Sequence, residues 1–304
     1  MYGLSAYIVW GILPLYWRLM EDVPASEVLA HRIIWSFVLV FLITIVTGNY
    51  AKLKKDWKFL TLHPKQLAAL FSAAAMISIN WLLYIWAVNT DRVLETSLGY
   101  YINPLLSVLL GVFVLKERLN VWQNLSFLLA LGGVIIATVH YGHMPWVSLW
   151  LASSFALYGL IKKVVQIDPI SGLTIETLCI TPFALAYVIW LLFSGTAHFG
   201  LESLSTSLLL IGAGAATVFP LLWFARAAQE ISLSTLGFIQ YLAPTITLFL
   251  GIFVFKEPFT IWHFMSFFLI WIALALFSLS NTRWFSRWEE KFLAKMDQNK
   301  MVRG

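Results

Sequence analysis

Long stretches of apolar residues alternate with short polar connections along most of the chain. A transmembrane helix needs about 20 apolar residues to cross a hydrocarbon core about 30 Å thick. Ten stretches of this kind can be placed, at 2–19, 28–48, 67–88, 93–115, 121–140, 146–163, 170–194, 207–228, 233–255 and 261–281. The pattern therefore predicts an all-α polytopic membrane protein with ten transmembrane helices. No cleavable signal peptide is expected, because the first stretch begins at residue 2 without a basic segment before it.

Composition and charge support this interpretation. Hydrophobic residues make up 60% of the 304 residues and charged residues only 12%, whereas soluble domains carry about 25% charged residues. Lys and Arg gather in cytoplasmic loops, and an N-terminus on the inner side places 16 of the 20 there: Lys52, Lys54, Lys55, Lys58, Lys65, Lys116, Arg118, Lys162, Lys163, Arg226, Arg283, Arg287, Lys291, Lys295, Lys300 and Arg303. Both termini are expected in the cytoplasm, and no nucleic-acid partner is needed to explain the net charge of +5.

Residues 282–304 form a basic tail after the last span. Trp284, Trp288, Phe292 and Met296 recur every four residues, with basic residues between them. This spacing predicts a cytoplasmic amphipathic helix lying on the membrane surface. A solvated tail is the alternative.

The chain contains an internal repeat. Pro104 and the segment 111–117 (Gly-Val-Phe-Val-Leu-Lys-Glu) match Pro244 and 251–257 (Gly-Ile-Phe-Val-Phe-Lys-Glu) without a gap. Upstream of each proline, Ser-Leu-Gly-Tyr at 97–100 resembles Thr-Leu-Gly-Phe at 235–238, with two extra residues in the second copy. The repeat divides the membrane region into two halves.

The two predicted five-helix repeats are residues 1–140 and 146–281. Because five is an odd number of spans, the second repeat must enter the membrane from the opposite side. Inverted repeats are typical of secondary transporters, which bind substrate near the midplane between the halves. We therefore expect alternating access, in which the two halves exchange conformations.

Several strings of residues resemble a known family. They are Trp-Gly-Ile-Leu-Pro at 10–14, His-Arg-Ile-Ile-Trp-Ser-Phe at 31–37, Asn-Trp-Leu-Leu-Tyr-Ile-Trp-Ala-Val-Asn at 80–89, Leu-Gly-Tyr-Tyr-Ile-Asn-Pro at 98–104, Ser-Phe-Ala-Leu-Tyr-Gly-Leu at 154–160 and Ser-Thr-Leu-Gly-Phe-Ile-Gln-Tyr-Leu-Ala-Pro at 234–244. With them the chain resembles ten-helix members of the drug/metabolite transporter superfamily with two EamA domains, and most closely the RarD-type, chloramphenicol-related permeases. The resemblance covers 1–281 and implies a bacterial inner-membrane permease, with export as the preferred direction.

Uncharged hydrogen-bonding groups and aromatic residues recur near the middle of several spans. They are Trp10, Asn80, Trp81, Asn103, Ser154, Tyr158, Gln240 and Tyr241. A cavity lined by such groups suits a neutral or zwitterionic amphipathic molecule better than an inorganic ion. We expect this set to bind substrate; the alternative is that the Asn and Ser side chains join helices within the bilayer.

Prolines inside the spans are candidate hinges for alternating access. Pro104 and Pro244 occupy equivalent places in the two repeats, and Pro14, Pro182 and Pro220 lie in other spans. Each proline removes a backbone N–H and tends to kink its helix. A static kink compensated by packing is the alternative.

Four ionisable residues within or near the ends of spans are candidates for proton coupling or gating. They are His31, Arg32, Glu95 and Glu176. A charged residue at a helix centre costs roughly 2.5–3.5 kcal/mol on insertion, so each needs a reason. Glu176 is the preferred proton carrier, with Glu95 and His31 as other candidates. In the alternative, Arg32 pairs with Glu95 or Glu27 as an outer structural latch.

Other classes of function find less support. His140 and His143 have a spacing compatible with metal ligands but lack an acidic or thiol partner nearby in the sequence, and neither a metal nor a cofactor is expected. No enzyme is expected, because GxSxG, HExxH, CxxC and phosphate-loop patterns are absent from the sequence. A carrier or scramblase of lipid-linked substrates is the main alternative. The expected partners are a small molecule, the lipid bilayer and protons as a candidate coupling ion, with the chain acting as a monomer or homodimer.

Overall fold

The structure is a computed structural model that describes residues 1–89, 93–141, 146–200, 203–254, 260–280 and 282. Within these ranges the secondary structure is helical, without strands. The helices are α1 (Tyr2–Arg18), α2 (Ala25–Val46), α3 (Tyr50–Leu62), α4 (Pro64–Asn89), α5 (Val93–Phe113), α6 (Val121–Tyr141), α7 (Trp146–Val164), α8 (Pro169–Ser194), α9 (Leu204–Glu230), α10 (Leu233–Gln240), α11 (Leu242–Phe253) and α12 (Ile261–Ser280).

The ten predicted spans correspond to these helices other than α3, with α10 and α11 together forming one span. In the described part of the chain, eight segments are long and apolar enough to cross a membrane: α2, α4, α6, α7, α8, α9, α12 and the α10–α11 stretch. The apolar part of α5 is shorter, at Leu98–Phe113, and α1 has 17 residues. The chain is therefore an all-α polytopic membrane protein, and the count reaches ten only when α1 and α5 are added.

Helix α3 lies in the Lys-rich connection between the second and third predicted spans. Its Leu60 is fully buried and packs with Leu70, Val165 and Ile175, which belong to α4, to the α7–α8 connection and to α8. Lys52 Nζ, on the exposed face, donates to Asp168 Oδ1 at 2.6 Å. The connection is therefore an amphipathic helix that covers one end of the bundle.

Helix α10 receives an unusual cap from another helix region. The Glu117 carboxylate, just after α5, accepts hydrogen bonds from the Leu233 N–H (2.6 Å), the Ser234 N–H (2.9 Å) and the Ser234 hydroxyl (2.7 Å). The first N–H groups of a helix have no partner within the helix, and a carboxylate there is favourable. Glu117 thus ties the end of one span to the start of another.

The two repeated proline segments differ in the structure. Helix α5 continues through Pro104, whereas the equivalent segment is interrupted at Tyr241, between α10 and α11. The two extra residues of the second copy precede Pro244, so the interruption falls in the stretch where the copies differ in length. Pro14 and Pro220 lie inside continuous helices, as does Pro182.

Helix packing follows a two-fold pattern. If α1, α2, α4, α5 and α6 are matched in order with α7, α8, α9, α10–α11 and α12, the main contacts exchange with one another. The α5–α7 contact corresponds to α1–α11, α2–α9 to α4–α8, and α1–α9 to α4–α7, while α2–α8, α5–α10 and α6–α12 correspond to themselves. The most extensive contacts therefore join the first five matched helices to the second five.

Candidate functional site

A small cavity of about 20 Å³ lies where α2, α4, α7, α8 and α9 meet. Its polar and aromatic wall residues are Ser36, Trp81, Tyr158, Glu176, Thr177 and Thr217; the others are Ile33, Ile77, Leu173, Ile180 and Leu221. A void of this size has room for about one water molecule. A larger ligand therefore fits here only if the helices separate.

A buried ion pair borders this cavity. Lys162 Nζ lies 2.5 Å from Glu176 Oε1, and the side chains are only 5% and 3% exposed. The Tyr158 hydroxyl donates to Glu176 Oε2 at 3.4 Å, and Lys162 Nζ lies 5.4 Å from the centroid of the Tyr158 ring. Charge inside a membrane protein is costly unless it is paired, and such pairs mark substrate or ion pathways.

Lys162 is the residue that sequence reasoning missed. The charge pattern placed it among the exposed basic residues of an inner segment, but it is buried on α7. Its position could have been suspected, because Ser154, Tyr158 and Lys162 recur every four residues and therefore share one helix face.

An aromatic cluster extends from the cavity toward α1. Trp10 lies 5.3 Å from Tyr7, 5.8 Å from Phe155 and 5.7 Å from Phe224, between ring centroids. The Tyr158 ring stacks on Phe224 at 5.8 Å. A continuous row of ring contacts therefore runs from Trp10 through Phe224 to Tyr158, which binds Glu176 of the ion pair.

Arg32 lies beside the same cavity, on α2. Its guanidinium carbon is 4.6 Å from the ring centroid of Trp17 and 4.8 Å from that of Trp81. Arg32 Nε donates to Thr217 Oγ1 at 3.1 Å. The outer-latch alternative with Glu27 does not describe this geometry, because Arg32 is held by two indole rings and a hydroxyl.

Glu27 instead binds the connection between α8 and α9. Its fully buried carboxylate accepts from the His198 N–H (2.8 Å) and the Phe199 N–H (3.2 Å), and it lies 2.8 Å from His198 Nδ1. His31 is buried nearby and stacks on Phe199 at 4.7 Å, with Nε2 4.0 Å from Glu27 Oε1. These groups form a clasp between α2 and the α8–α9 connection.

Asn80 and Ser154 join α4 to α7. Asn80 Nδ2 donates to the Leu151 carbonyl at 2.8 Å and to Ser154 Oγ at 2.9 Å. Ser154 also donates to the Trp150 carbonyl at 2.7 Å. In this structure the two side chains have the contacts expected of helix-joining groups.

Asn103, Gln240 and Tyr241 lie at the α5–α10 interface, away from the cavity wall. The Tyr241 hydroxyl donates to the Tyr101 carbonyl at 3.2 Å, and Ser107 Oγ donates to Gln240 Oε1 at 3.5 Å. Asn103 is buried, and its Oδ1 has no hydrogen-bond partner among the described residues. The buried amide oxygen is therefore an available acceptor.

The structure thus brings together only part of the predicted set. Trp81, Tyr158 and Glu176 line the cavity, and Trp10 and Arg32 contact residues that do so. The side chains of Glu95 and His140 lie outside the described part of the chain, as do Lys256, Glu257, His143 and the tail from residue 283. Across the residues that are described, no group of three or more His, Cys, Asp or Glu side chains could hold a metal ion.

Comparison with known proteins identifies the family. The EamA-like transporter family matches residues 1–139 and 144–279. The chain is 48% identical to the uncharacterized transporter YojE of Bacillus subtilis (strain 168), over 93% of this chain and 94% of that one. It is 41% identical to protein RarD of Escherichia coli (strain K12), over 90% and 92% of the two chains.

More distant similarities agree. The chloramphenicol-sensitive protein RarD of Pseudomonas aeruginosa is 29% identical over 92% of this chain and 93% of that protein. A solved crystal structure shares the fold with a TM-score of 0.70 at 16% identity, over 93% of this chain and 97% of the other. The family model and the relatives named as transporters point to a transporter rather than an enzyme. The chain belongs to the EamA-like transporter family and is a RarD-type, multi-pass membrane transporter.

Proposed function

We propose that the chain is a secondary transporter that moves a small organic metabolite or drug across the bacterial inner membrane by alternating access. The observation that carries the proposal is the buried Lys162–Glu176 pair, whose Glu176 lines a small cavity between helices of both halves. Buried ionic groups of this kind mark substrate or ion pathways. Export is the preferred direction, on the resemblance to RarD-type permeases.

The two-fold packing pattern supports the alternating-access mechanism. The main helix contacts exchange when the first five spans are matched with the second five, as expected for two inverted repeats at 1–140 and 146–281. A conformation of one half can then be adopted by the other, which converts an opening on one face into an opening on the opposite face.

Glu176 is the proposed proton carrier. A proton on its carboxylate removes the negative charge that holds Lys162, and the ammonium group can then bind an acceptor on the substrate. Loss of the proton restores the pair and expels that acceptor. Proton binding and substrate binding are thereby linked at one pair of residues, since neither charge is stable alone when buried.

The aromatic cluster supplies the apolar part of the proposed site. Trp10, Trp81 and Tyr158 present flat faces near the cavity, and aromatic walls bind the body of an amphipathic molecule. Asn103, Gln240 and Tyr241 lie on the neighbouring α5–α10 interface. In this proposal they become part of the chamber when the halves separate.

Transport into liposomes tests the proposal. The purified chain is reconstituted with and without a pH gradient and assayed with a metabolite panel and with chloramphenicol, after which one relative is named. We expect saturable movement of at least one compound, faster with the gradient and at least tenfold slower in Glu176→Gln.

Glu230→Gln is the matched control, because Glu230 pairs with Arg226 on an exposed surface. Wild-type rates are expected in this variant. Equal rates in Glu176→Gln and wild type would contradict the coupling role of Glu176. Flipping of labelled lipid by the same vesicles, without movement of any panel compound, would instead support the scramblase alternative.

A further inference from the structure

The surroundings of Arg32 have the features of an anion-recognition site. Two indole rings, of Trp17 and Trp81, flank the guanidinium at 4.6 and 4.8 Å. The bond from Nε to Thr217 Oγ1 uses one of five N–H donors. Among the described residues no carboxylate lies within ion-pair distance of Arg32.

Arg32 has no carboxylate partner among the described residues, whereas Lys162 is paired with Glu176. The Glu27 carboxylate is engaged instead by His198 and the Phe199 N–H. Stacking on indole rings stabilises a cation, but it leaves the N–H groups in the guanidinium plane available for an acceptor.

Arg32 is connected to the cavity by its own contacts. Trp81 and Thr217, which both contact Arg32, also form part of the cavity wall. A molecule in the opened chamber could therefore place an acidic group at Arg32 and a flat apolar body against Trp81. The guanidinium fork matches the two oxygens of a carboxylate.

We propose that Arg32 binds the carboxylate of the transported molecule, so that the substrates are small monocarboxylic acids with a planar or apolar body. The inference rests on the proposed transport function and narrows its substrate class. One carboxylate matches the single positive charge of the Arg32 guanidinium, whereas a phosphate dianion would bring a second negative charge near Glu176. A zwitterion carries such a carboxylate, so the proposal narrows the neutral or zwitterionic molecule expected from the midplane residues.

Matched pairs of acids and amides test this substrate class. Thermal unfolding of the purified full chain in detergent is measured with benzoate against benzamide, phenylacetate against phenylacetamide, and indole-3-acetate against indole-3-acetamide. We expect at least one acid to raise the midpoint by about 2 °C or more at saturation, its amide to leave the midpoint unchanged, and Arg32→Gln to abolish the shift. Arg226→Gln, at an exposed position, should retain it.

A second variant tests the inference in case Arg32→Gln does not fold. Arg32→Lys keeps the charge but not the fork, and we expect a several-fold weaker response to the acid in this variant. Equal shifts with acid and amide, an undiminished shift in both Arg32 variants, or no shift with any of the acids would overturn the inference. Liposome transport of a neutral compound without any response to the acids would reject the anion site and leave the transport function standing. Acid-selective shifts in the unfolding midpoint, without transport of any compound, would reject the transport function and leave the anion site standing.

Discussion

Lys162 Nζ and Glu176 Oε1 lie 2.5 Å apart in the interior of the helical bundle, and the pair joins α7 to α8 at the cavity wall. Both residues are on consecutive helices, but 14 positions separate them in the sequence. The Tyr158 hydroxyl, one turn before Lys162 on α7, donates a hydrogen bond to the other carboxylate oxygen of Glu176. In the proposed mechanism, protonation of Glu176 separates this pair of charges and frees Lys162 to bind substrate.

Removing one member of the pair should be strongly destabilising. Lys162→Met leaves the Glu176 carboxylate buried without its partner, and we expect a loss of about 3–5 kcal/mol in the free energy of unfolding. Lys52→Met is the control, because the Lys52 side chain is 52% exposed in its pair with Asp168; we expect a change of about 0–1 kcal/mol. Denaturant unfolding in detergent measures both. Similar losses in the two variants would contradict the described burial of Lys162.

The Glu27 clasp should control the α8–α9 connection. Glu27→Gln removes the charge that accepts the His198 and Phe199 N–H groups, and hydrogen bonds to charged groups contribute about 1.5–3 kcal/mol. Exchange of these two amide hydrogens should therefore accelerate by about tenfold to a hundredfold, as measured by mass spectrometry. Glu230→Gln should leave them unchanged, and unchanged exchange in Glu27→Gln would show that the clasp does not hold the connection.

Close approach of α2 and α9 should make Gly214 intolerant of a side chain. A Cβ at Gly214 would lie 2.5 Å from the Trp35 carbonyl carbon and 2.6 Å from Trp35 Cβ, so Gly214→Ala must push the two helices apart. We expect a loss of about 1–3 kcal/mol in unfolding free energy. Gly132→Ala is the matched control, since the nearest atom to its Cβ would be 3.8 Å away, and replacing a helical glycine by alanine is favourable by up to about 1 kcal/mol. Equal stability of the two variants would contradict the described contact.

The carboxylate cap on α10 should contribute to stability. Glu117→Ala leaves the Leu233 and Ser234 N–H groups without this acceptor, and loss of a side-chain acceptor at a helix N-terminus costs about 0.5–2 kcal/mol. Thermal unfolding in detergent should show the loss, with Arg118→Ala at a neighbouring exposed position as the control. An unfolding midpoint equal to that of the control would indicate that α10 does not depend on Glu117.

The helices could be predicted because apolar length is a local property of the sequence. Helix α3 was missed as a helix, since its Lys-rich 13 residues are too short and too polar to register as a span, and its one buried residue, Leu60, is buried by distant parts of the chain. The break at Tyr241 was also not predicted, because the sequence shows two extra residues before Pro244 but not where the helix is interrupted.

The candidate site was predicted less completely, because its contacts are tertiary. Sequence alone allowed Asn80 to be either a ligand or a link between helices, and only the position of α7 shows that it bonds to Leu151 and Ser154. Glu27 has His31 and Arg32 about one turn away on its own helix. The structure shows that its carboxylate binds His198 instead, in the connection between α8 and α9. Residue type identified the chemistry, but the partners depend on how the helices pack.

Alternating access is tested by labelling a thiol in the cavity from each face of the membrane. Thr177 lines the cavity, and among the described residues its hydroxyl bonds only to carbonyls of its own helix. Thr177→Cys in a Cys179→Ser background therefore places one thiol in the chamber. A membrane-impermeant maleimide is applied to oriented vesicles from one side and then from the other. We expect labelling from both sides, with substrate slowing both reactions. Labelling from one side alone under every condition, or no labelling from either, would contradict alternating access to this cavity.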